Sequence, residues 1–271
     1  MIKITDKEFD ELVKFMQKNY GINLIKKRQL IEGRLSNYLR QKEMTTFTEY
    51  IKLIKTMNND EITMLINKLT TNHTYFYRED KHYKILKETI LPEIEKNSRI
   101  KTIDFWSAGC SSGEEPYTNA MAIDDFLGNK KSLWRVNLEA TDISQKVLDI
   151  AKKGEYKEDS LKDLPAGWKA KYTKKTPEGL YLVSNDIKKK VNYGIFNLMD
   201  NIPMKYKNKF DVLWCRNVMI YFDLETKTKL VNRFYDAIKP GGYLFIGHSE
   251  TVQRDKTKFK YICPAVYRKE E

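Results

Sequence analysis

Residues 104–117 read DFWSAGCSSGEEPY, and the fold turns on this stretch. Ile103, Phe105 and Trp106 are β-formers, so it begins as a short strand. Ala108 to Gly113 are all small, which breaks the strand into a turn. Glu114, Glu115 and Pro116 then read as the first turn of a helix. Strand, glycine loop and helix bring backbone N–H groups close to a nucleotide-like ligand. No GKS or GKT follows, so this is not a phosphate loop of the Walker type. Two carboxylates stand where a phosphate would sit, and they would repel it. Such a loop suits a cationic or hydroxyl-rich ligand, and S-adenosylmethionine is both. An ordinary strand-to-helix turn with dipole-favoured acids reads the same way from this stretch alone.

The same β-α alternation runs outward from this centre. A second strand is expected near Val136–Thr141, ending at Asp142, with Ser144 capping the helix of Val147, Leu148 and Ala151. Phe210–Cys215 reads as another buried strand. A helix with Leu230, Phe234 and Ile238 stops at Lys239-Pro240-Gly241-Gly242, and Tyr243–Ile246 is a strand again. Phe259–Ile262 and Ala265–Arg268 flank Pro264 as a closing antiparallel hairpin. Repeated β-α-β units give an α/β fold with a doubly wound, mainly parallel sheet. The rhythm is interrupted at about 155–195, a Lys-rich stretch in which Gly179–Ser184 and Val191–Ile195 read as short strands. That is the pattern of a small inserted antiparallel β subdomain.

Upstream, residues 1–70 carry only helical periodicity and form an N-terminal all-α bundle. Thr5 and Glu8 make a capping box ahead of Phe9, Leu12, Val13 and Met16, and Gly21 stops that helix. Three more amphipathic stripes follow, the third helix capped by Thr46. Between Leu24 and Lys42, six bases face one acid, and Lys27, Arg34 and Tyr38 fall near one helix face. Such a face docks on an acidic surface or is simply solvated. Residues 71–92 form a linker and linking helix. The polar and aromatic run TTNHTYFYRED (70–80) is no Gly/Ser spacer, and the helix of Tyr83, Leu86 and Ile90 ends near Pro92. Residues 93–271 make the third region.

Bulk composition narrows the function classes. The 271 residues hold 41% hydrophobic and 12% aromatic side chains, enough for a substantial core. No apolar run has the length of a membrane span, and the first residues have no signal-type apolar segment. A cytoplasmic protein is expected. Three widely spaced cysteines and three histidines make neither a disulfide framework nor a zinc pattern, so no metal is expected. The net charge of +12 allows an acidic partner of several kinds.

Ligands of an open α/β sheet sit outside the carboxyl ends of its strands. Asp142 stands at one such end, where an acid accepts hydrogen bonds from ribose hydroxyls or simply favours a helix N-terminus. Asn197 and Leu198 follow another and can meet an adenine edge. Arg216, Asn217 and Tyr221 follow Trp214-Cys215, a polar cluster where the strand was apolar.

Five motifs, TTNHTYFYRED (70–80), WSAGCSSGEEPYT (106–118), ATDIS (140–144), FDVLWCRNVMIYFD (210–223) and PGGYLFIGHSE (240–250), together resemble the chemotaxis receptor methyltransferases of the CheR type. The resemblance spans nearly the whole chain. It implies transfer of a methyl group from S-adenosylmethionine, with S-adenosylhomocysteine as product, to glutamates on the cytoplasmic coiled coil of methyl-accepting chemotaxis receptors. It implies cofactor contacts from Asn72, Thr74, Arg78, Glu115 (or Glu114), Asp142, Asn197, Leu198, Arg216 and Asn217. Arg78 and Tyr221 would stand at the reaction centre. The basic helix gains a reading here, with Lys27, Arg28 and Arg34 as the docking face for an acidic receptor helix. Some members tether to a receptor's C-terminal pentapeptide through a Gly-rich loop in the insert. Lys174–Gly179 has a single Gly, so no such tether is expected. A monomer that neither binds nucleic acid nor inserts stably in a membrane completes the expectation. The competing readings are a nucleic-acid methyltransferase and a non-catalytic adaptor. The former often carries an Asn/Asp-Pro-Pro-aromatic motif where this chain has Arg216-Asn217-Val218-Met219.

Overall fold

A computed structural model describes residues 2–70 and 73–270 of the chain. Contacts divide the chain into two units, Met1–His73 with Tyr221–Lys227, and Thr74–Ile220 with Thr228–Glu271.

The first unit is helical. Helix α1 (Asp6–Tyr20) starts at the expected capping box, where Thr5 Oγ1 accepts the Glu8 N–H and the Glu8 carboxylate accepts the Thr5 N–H at 2.9 Å. Gly21, at φ 69°, ends it in the left-handed conformation that costs glycine least. Helices α2 (Arg28–Gln41), α3 (Phe47–Lys55) and α4 (Asn59–Leu69) follow, with Thr46 and Asn58 as side-chain caps of the last two. Leu12, Leu35, Leu39, Phe47, Ile54 and Leu65 are fully buried between them. The segment 221–227 joins this unit through an isolated bridge between Ile22 and Phe222 and a hydrogen bond from Asn23 N–H to the Tyr221 carbonyl at 2.8 Å.

The basic helix departs from its sequence reading. Arg28 donates to the Ile4 carbonyl at 2.8 Å and to Asp6 at 2.6 Å, and its guanidinium lies over the Phe9 ring. Arg34 donates to the carbonyls of Lys68 and Thr70 at 2.9 and 3.1 Å, where a cation satisfies the last groups of α4. Tyr38 is buried and donates to Glu61 at 2.7 Å. Of the expected docking face, Lys27 alone projects without a structural task of this kind; it is exposed.

The second unit opens with α5 (Asp80–Ile85), a π-helical turn (Leu86–Ile90) and α6 (Leu91–Asn97). The expected stop near Pro92 does not occur. Leu91 N–H reaches back to the Leu86 carbonyl, and this wider turn delivers Pro92 to the start of α6, where no N–H is needed. Then come β1 (Thr102–Ala108), α7 (Glu114–Leu127), β2 (Arg135–Asp142) and α8 (Gln145–Lys153). The small elements β3 (Glu155–Tyr156), α9 (Ala166–Tyr172), β4 (Thr173–Lys175), β5 (Tyr181–Val183) and α10 (Asn185–Lys188) follow. The chain closes with β6 (Val191–Ile195), β7 (Phe210–Cys215), α11 (Leu224–Ala237), β8 (Ile238–Ile246), β9 (Lys260–Cys263) and β10 (Val266–Arg268).

The large sheet has the order β6-β2-β1-β7-β8-β10-β9. Its first five strands are mutually parallel, and β10 and β9 close the edge antiparallel, as the hairpin pattern predicted. Phe105, Trp106, Leu138, Val212, Trp214 and Phe245 are fully buried, so the central strands read as continuous apolar runs. The chain leaves β1 toward β2 on one side and later returns to β7 on the other. The crevice between the ends of β1 and β7 is thus the topological switch point. The inserted sheet has three strands, β3-β5-β4, all antiparallel. The sequence put Val191–Ile195 in this insert. It is instead β6, edge strand of the large sheet, paired with β2. Ile238, read as helical, opens β8, because α11 already ends at Ala237.

Candidate functional site

The glycine loop is fixed by backbone conformations that few residues tolerate. Gly109 and Gly113 have φ of 86° and 97°. A Cβ on Gly109 would come within 2.4 Å of the Val218 side chain, and one on Gly113 within 2.7 Å of Ala151. The N–H groups of Gly109 and Cys110 are anchored on the Thr141 carbonyl at 2.8 and 2.9 Å. Asp142, at the end of β2, ties the same loop by accepting the Ser111 N–H at 2.9 Å and the Ser144 N–H at 3.0 Å. Burial pushes its carboxyl above the ordinary range, against those N–H bonds.

Behind the loop lies a buried ionic cluster centred on Arg216, whose side chain is 1% exposed. Its guanidinium donates to Glu79 Oε2 at 2.9 Å, to Glu115 Oε2 at 3.1 Å and to the Arg78 carbonyl at 2.5 Å. Ser107 Oγ donates to the other oxygen of Glu115 at 2.6 Å. One cation thus serves two carboxylates. At Glu79 burial is outweighed by the Arg216 charge, and the carboxyl lies below its ordinary value. At Glu115 burial wins, and the carboxyl is pushed up. Glu114 is separate: its carboxylate accepts from Ser112 Oγ at 2.7 Å, and burial raises it too.

The loops after β7 and β8 are held by Glu250. Its carboxylate accepts the N–H groups of Asn217 at 2.9 Å, Gly247 at 2.6 Å and Ile220 at 3.1 Å. This holds Asn217 at φ 59° and aims its side-chain amide at Glu79, 3.4 Å away. Glu79, His82 and His248 bring their ligand atoms within 4.8 Å of one another. The Glu79 carboxylate there is already neutralised by Arg216. His82 is fully buried and, through burial and the Arg216 charge, held neutral with a pKa of about 3.

On the far side, the turn after β6 is built by its own residues. Asn197 Oδ1 accepts the Met199 N–H at 3.0 Å, and the Asn197 carbonyl accepts the Asp200 N–H at 2.9 Å. The Phe196 N–H donates to the Asp142 carbonyl at 3.0 Å, so this turn and the acid of β2 are neighbours. Leu198 is buried.

Of the residues the sequence singled out, the second unit brings together Arg78, Glu115, Arg216 and Asn217 in one cluster, and Asp142 with Asn197 beside the glycine loop. Arg78 joins through its carbonyl, while its guanidinium lies 5.9 Å from the Tyr75 ring centre. Thr74 is half-buried at the start of that unit. Tyr221 falls in the segment grouped with the helical unit. Asn72 lies outside the described residues. Sequence reasoning missed Ser107, Glu79, Glu250 and Arg233. Glu79 and Glu250 lie within quoted motifs, next to residues that were chosen; position at a strand's carboxyl end was the signal that could have found Glu250.

Residues 72–267 match the family described as CheR methyltransferase, SAM binding domain, and residues 7–70 match CheR methyltransferase, all-alpha domain. The chain is 44% identical over 273 residues to the chemotaxis protein methyltransferase of Borreliella burgdorferi, covering 99% of this chain and 96% of that one. It is 35% identical to chemotaxis protein methyltransferase 1 of Pseudomonas aeruginosa, covering 90% of each. It is 33% identical to the chemotaxis protein methyltransferase of Escherichia coli, covering 98% of this chain and 92% of the relative.

Proposed function

Because the chain belongs to the CheR family of chemotaxis methyltransferases, enzymes that use S-adenosylmethionine, we propose that it methylates glutamate side chains on the cytoplasmic helices of chemoreceptors. When bound, the cofactor supplies an electrophilic methyl group on a sulfonium. Its fit to these residues rests on the donor set. The carboxyls of Asp142 and Glu115 are raised by burial, so a ligand carrying hydroxyls and positive charge relieves a cost the protein already bears.

In this reading Asp142 holds the ribose, Asn197 and Leu198 flank the adenine, and Glu115 faces the methionine ammonium. Glu115 is favoured over Glu114 because it belongs to the Arg216 cluster, whereas Glu114 is held apart on Ser112. Asn72, Thr74 and Arg78 would contact the cofactor from the linker, Arg78 toward the methionine carboxylate or the reaction centre. Arg216 and Asn217 complete the pocket, and Tyr221 stands by the transferring methyl. The incoming glutamate has a reference pKa of about 4.3 and arrives ionised, so no general base is required. The chain's work is to orient that carboxylate in line and to keep water out.

The observation that carries the reading is the buried Glu79–Arg216–Glu115 cluster beside a glycine loop and Asp142 at a switch point, with His82 held neutral behind it. Neither thiol there is poised as a nucleophile, since burial raises Cys110 and Cys215 well above their ordinary value. The exposed Lys26 and Lys27, just ahead of α2, remain the part of the basic stretch suited to docking on an acidic receptor. In the insert, β4 and β5 are joined by a tight turn. Thr176 N–H donates to Leu180 at 2.7 Å and Gly179 N–H donates to Thr176 at 3.0 Å, and we take the enzyme to act without a receptor tail. Among the described residues no helix is long and apolar enough to cross a membrane, which fits action on the cytoplasmic side. The test is methyl transfer from labelled cofactor to receptor-containing membranes. Label released by mild base, as a glutamyl ester requires, is expected; base-stable label, or transfer to nucleic acid instead, would refute the proposal.

A further inference from the structure

Arg233 lies on α11, where the full burial of Leu230 and Phe234 fixes the helix against the sheet unit. Its guanidinium reaches across to the turn after β6. Nη2 donates to the Leu198 carbonyl at 2.7 Å, and Nη1 donates to the carbonyls of Met199 at 3.1 Å and Asp200 at 2.5 Å. Three successive carbonyls thus converge on one side chain 33 to 35 residues away. This exceeds what a surface turn needs, since water satisfies exposed carbonyls without help. The planar fork holds its donors in a fixed geometry across the three carbonyls, whereas a lysine ammonium is a point donor on a flexible stem.

We infer that Arg233 is a positioning residue for recognition of the adenine ring: by gripping the carbonyls of residues 198–200 from behind, it fixes the turn that presents Asn197 and Leu198. This rests on the reading that those two residues flank the adenine. Within the turn, Asn197 Oδ1 accepts the Met199 N–H and the Asn197 carbonyl accepts the Asp200 N–H, and the Phe196 N–H ties its start to the Asp142 carbonyl. They shape the turn but do not fasten it to a helix. Arg233 fastens the turn's carbonyls to α11.

The experiment compares wild type, R233Q, R233K and N197A in the full chain. It measures affinity for S-adenosylhomocysteine and for its N6-methyl analogue, together with kcat and KM for S-adenosylmethionine. R233Q removes a charged donor to three carbonyls, so affinity should fall by roughly tenfold or more. KM should rise in step while kcat at saturating cofactor changes by less than about twofold, because reacting groups are untouched. Discrimination against the N6-methyl analogue should shrink, which a merely less stable fold would not cause. R233K, if R233Q folds poorly, should fall between the two. Wild-type affinity and discrimination in a folded R233Q, alongside weakened binding by N197A, would overturn the role of Arg233 alone. Unchanged binding in both variants would overturn the placement of the adenine as well.

Discussion

Replacing Arg216 with methionine isolates the energetics of the buried cluster. The substitution keeps much of the side-chain volume and removes the guanidinium, which now donates to Glu79, Glu115 and the Arg78 carbonyl. The two carboxylates are only 14% and 15% exposed, so they cannot recover by turning to water. Breaking a buried pair by deleting one partner costs about 3–5 kcal/mol, because an uncompensated charge is left behind. For a chain of this size that is a fall of about 6–20 °C in Tm, at about 2–4 °C per kcal/mol. The deficit carries a pH signature. In the wild type the depressed Glu79 carboxyl contributes stability above its unfolded pKa, lost as pH falls through the folded value. In R216M both carboxyls are raised by burial alone. Their penalty is absent below the unfolded value of about 4.3 and grows as pH rises through the raised folded values. The gap between wild type and R216M should therefore widen from pH 5 to pH 8, and R216M/E79Q should narrow it. Thermal unfolding at both pH values checks this. A Tm within about 2 °C of wild type at pH 8, or a gap independent of pH, would refute the argument.

Further outcomes are expected. Exchanging Lys26 and Lys27 for Glu should lower kcat/KM for receptor methylation with unchanged Tm and cofactor affinity, whereas R34A should lower Tm by releasing the Lys68 and Thr70 carbonyls, a loss of about 1 kcal/mol. G109A should destabilise the sheet unit through both its φ of 86° and its clash with Val218. In G109A/V218A the clash is gone and a left-handed penalty of about 1–2 kcal/mol should remain in denaturant unfolding.

Features set by neighbours along the chain are legible in the amino-acid sequence alone. The Thr5–Glu8 box, the Gly21 stop, the glycine loop and Asp142 at the end of β2 each follow from a few adjacent residues. What escaped depends on distant partners. β6 is short and its middle is polar, Asn192-Tyr193-Gly194, so only pairing with β2 reveals that it belongs to the large sheet. Arg28 and Arg34 looked like one charged face, and their real partners lie 22 to 36 residues away. Glu79 sits beside Arg78, which the motif had marked, but its own role exists only through Arg216, 137 positions later. Periodicity reports which way a side chain faces; it does not report which opposite charge waits there.

The π-helical turn ahead of Pro92 has a consequence for how this chain tolerates changes in length. Such a turn is the trace of one extra residue carried inside a helix. Upstream of it, His82 and Tyr83 pack in the core; downstream, Glu93 accepts from Tyr243 at 2.6 Å and pairs with Arg268. Deleting a single residue between them would restore a regular helix and turn everything beyond by about 100°. Glu93 would swing away from both partners, and Pro92 would enter a helix interior. Two substitutions on opposite sides of the turn can be made independently, but no one-residue deletion there is silent. The segment is open to point substitution and closed to a change of register.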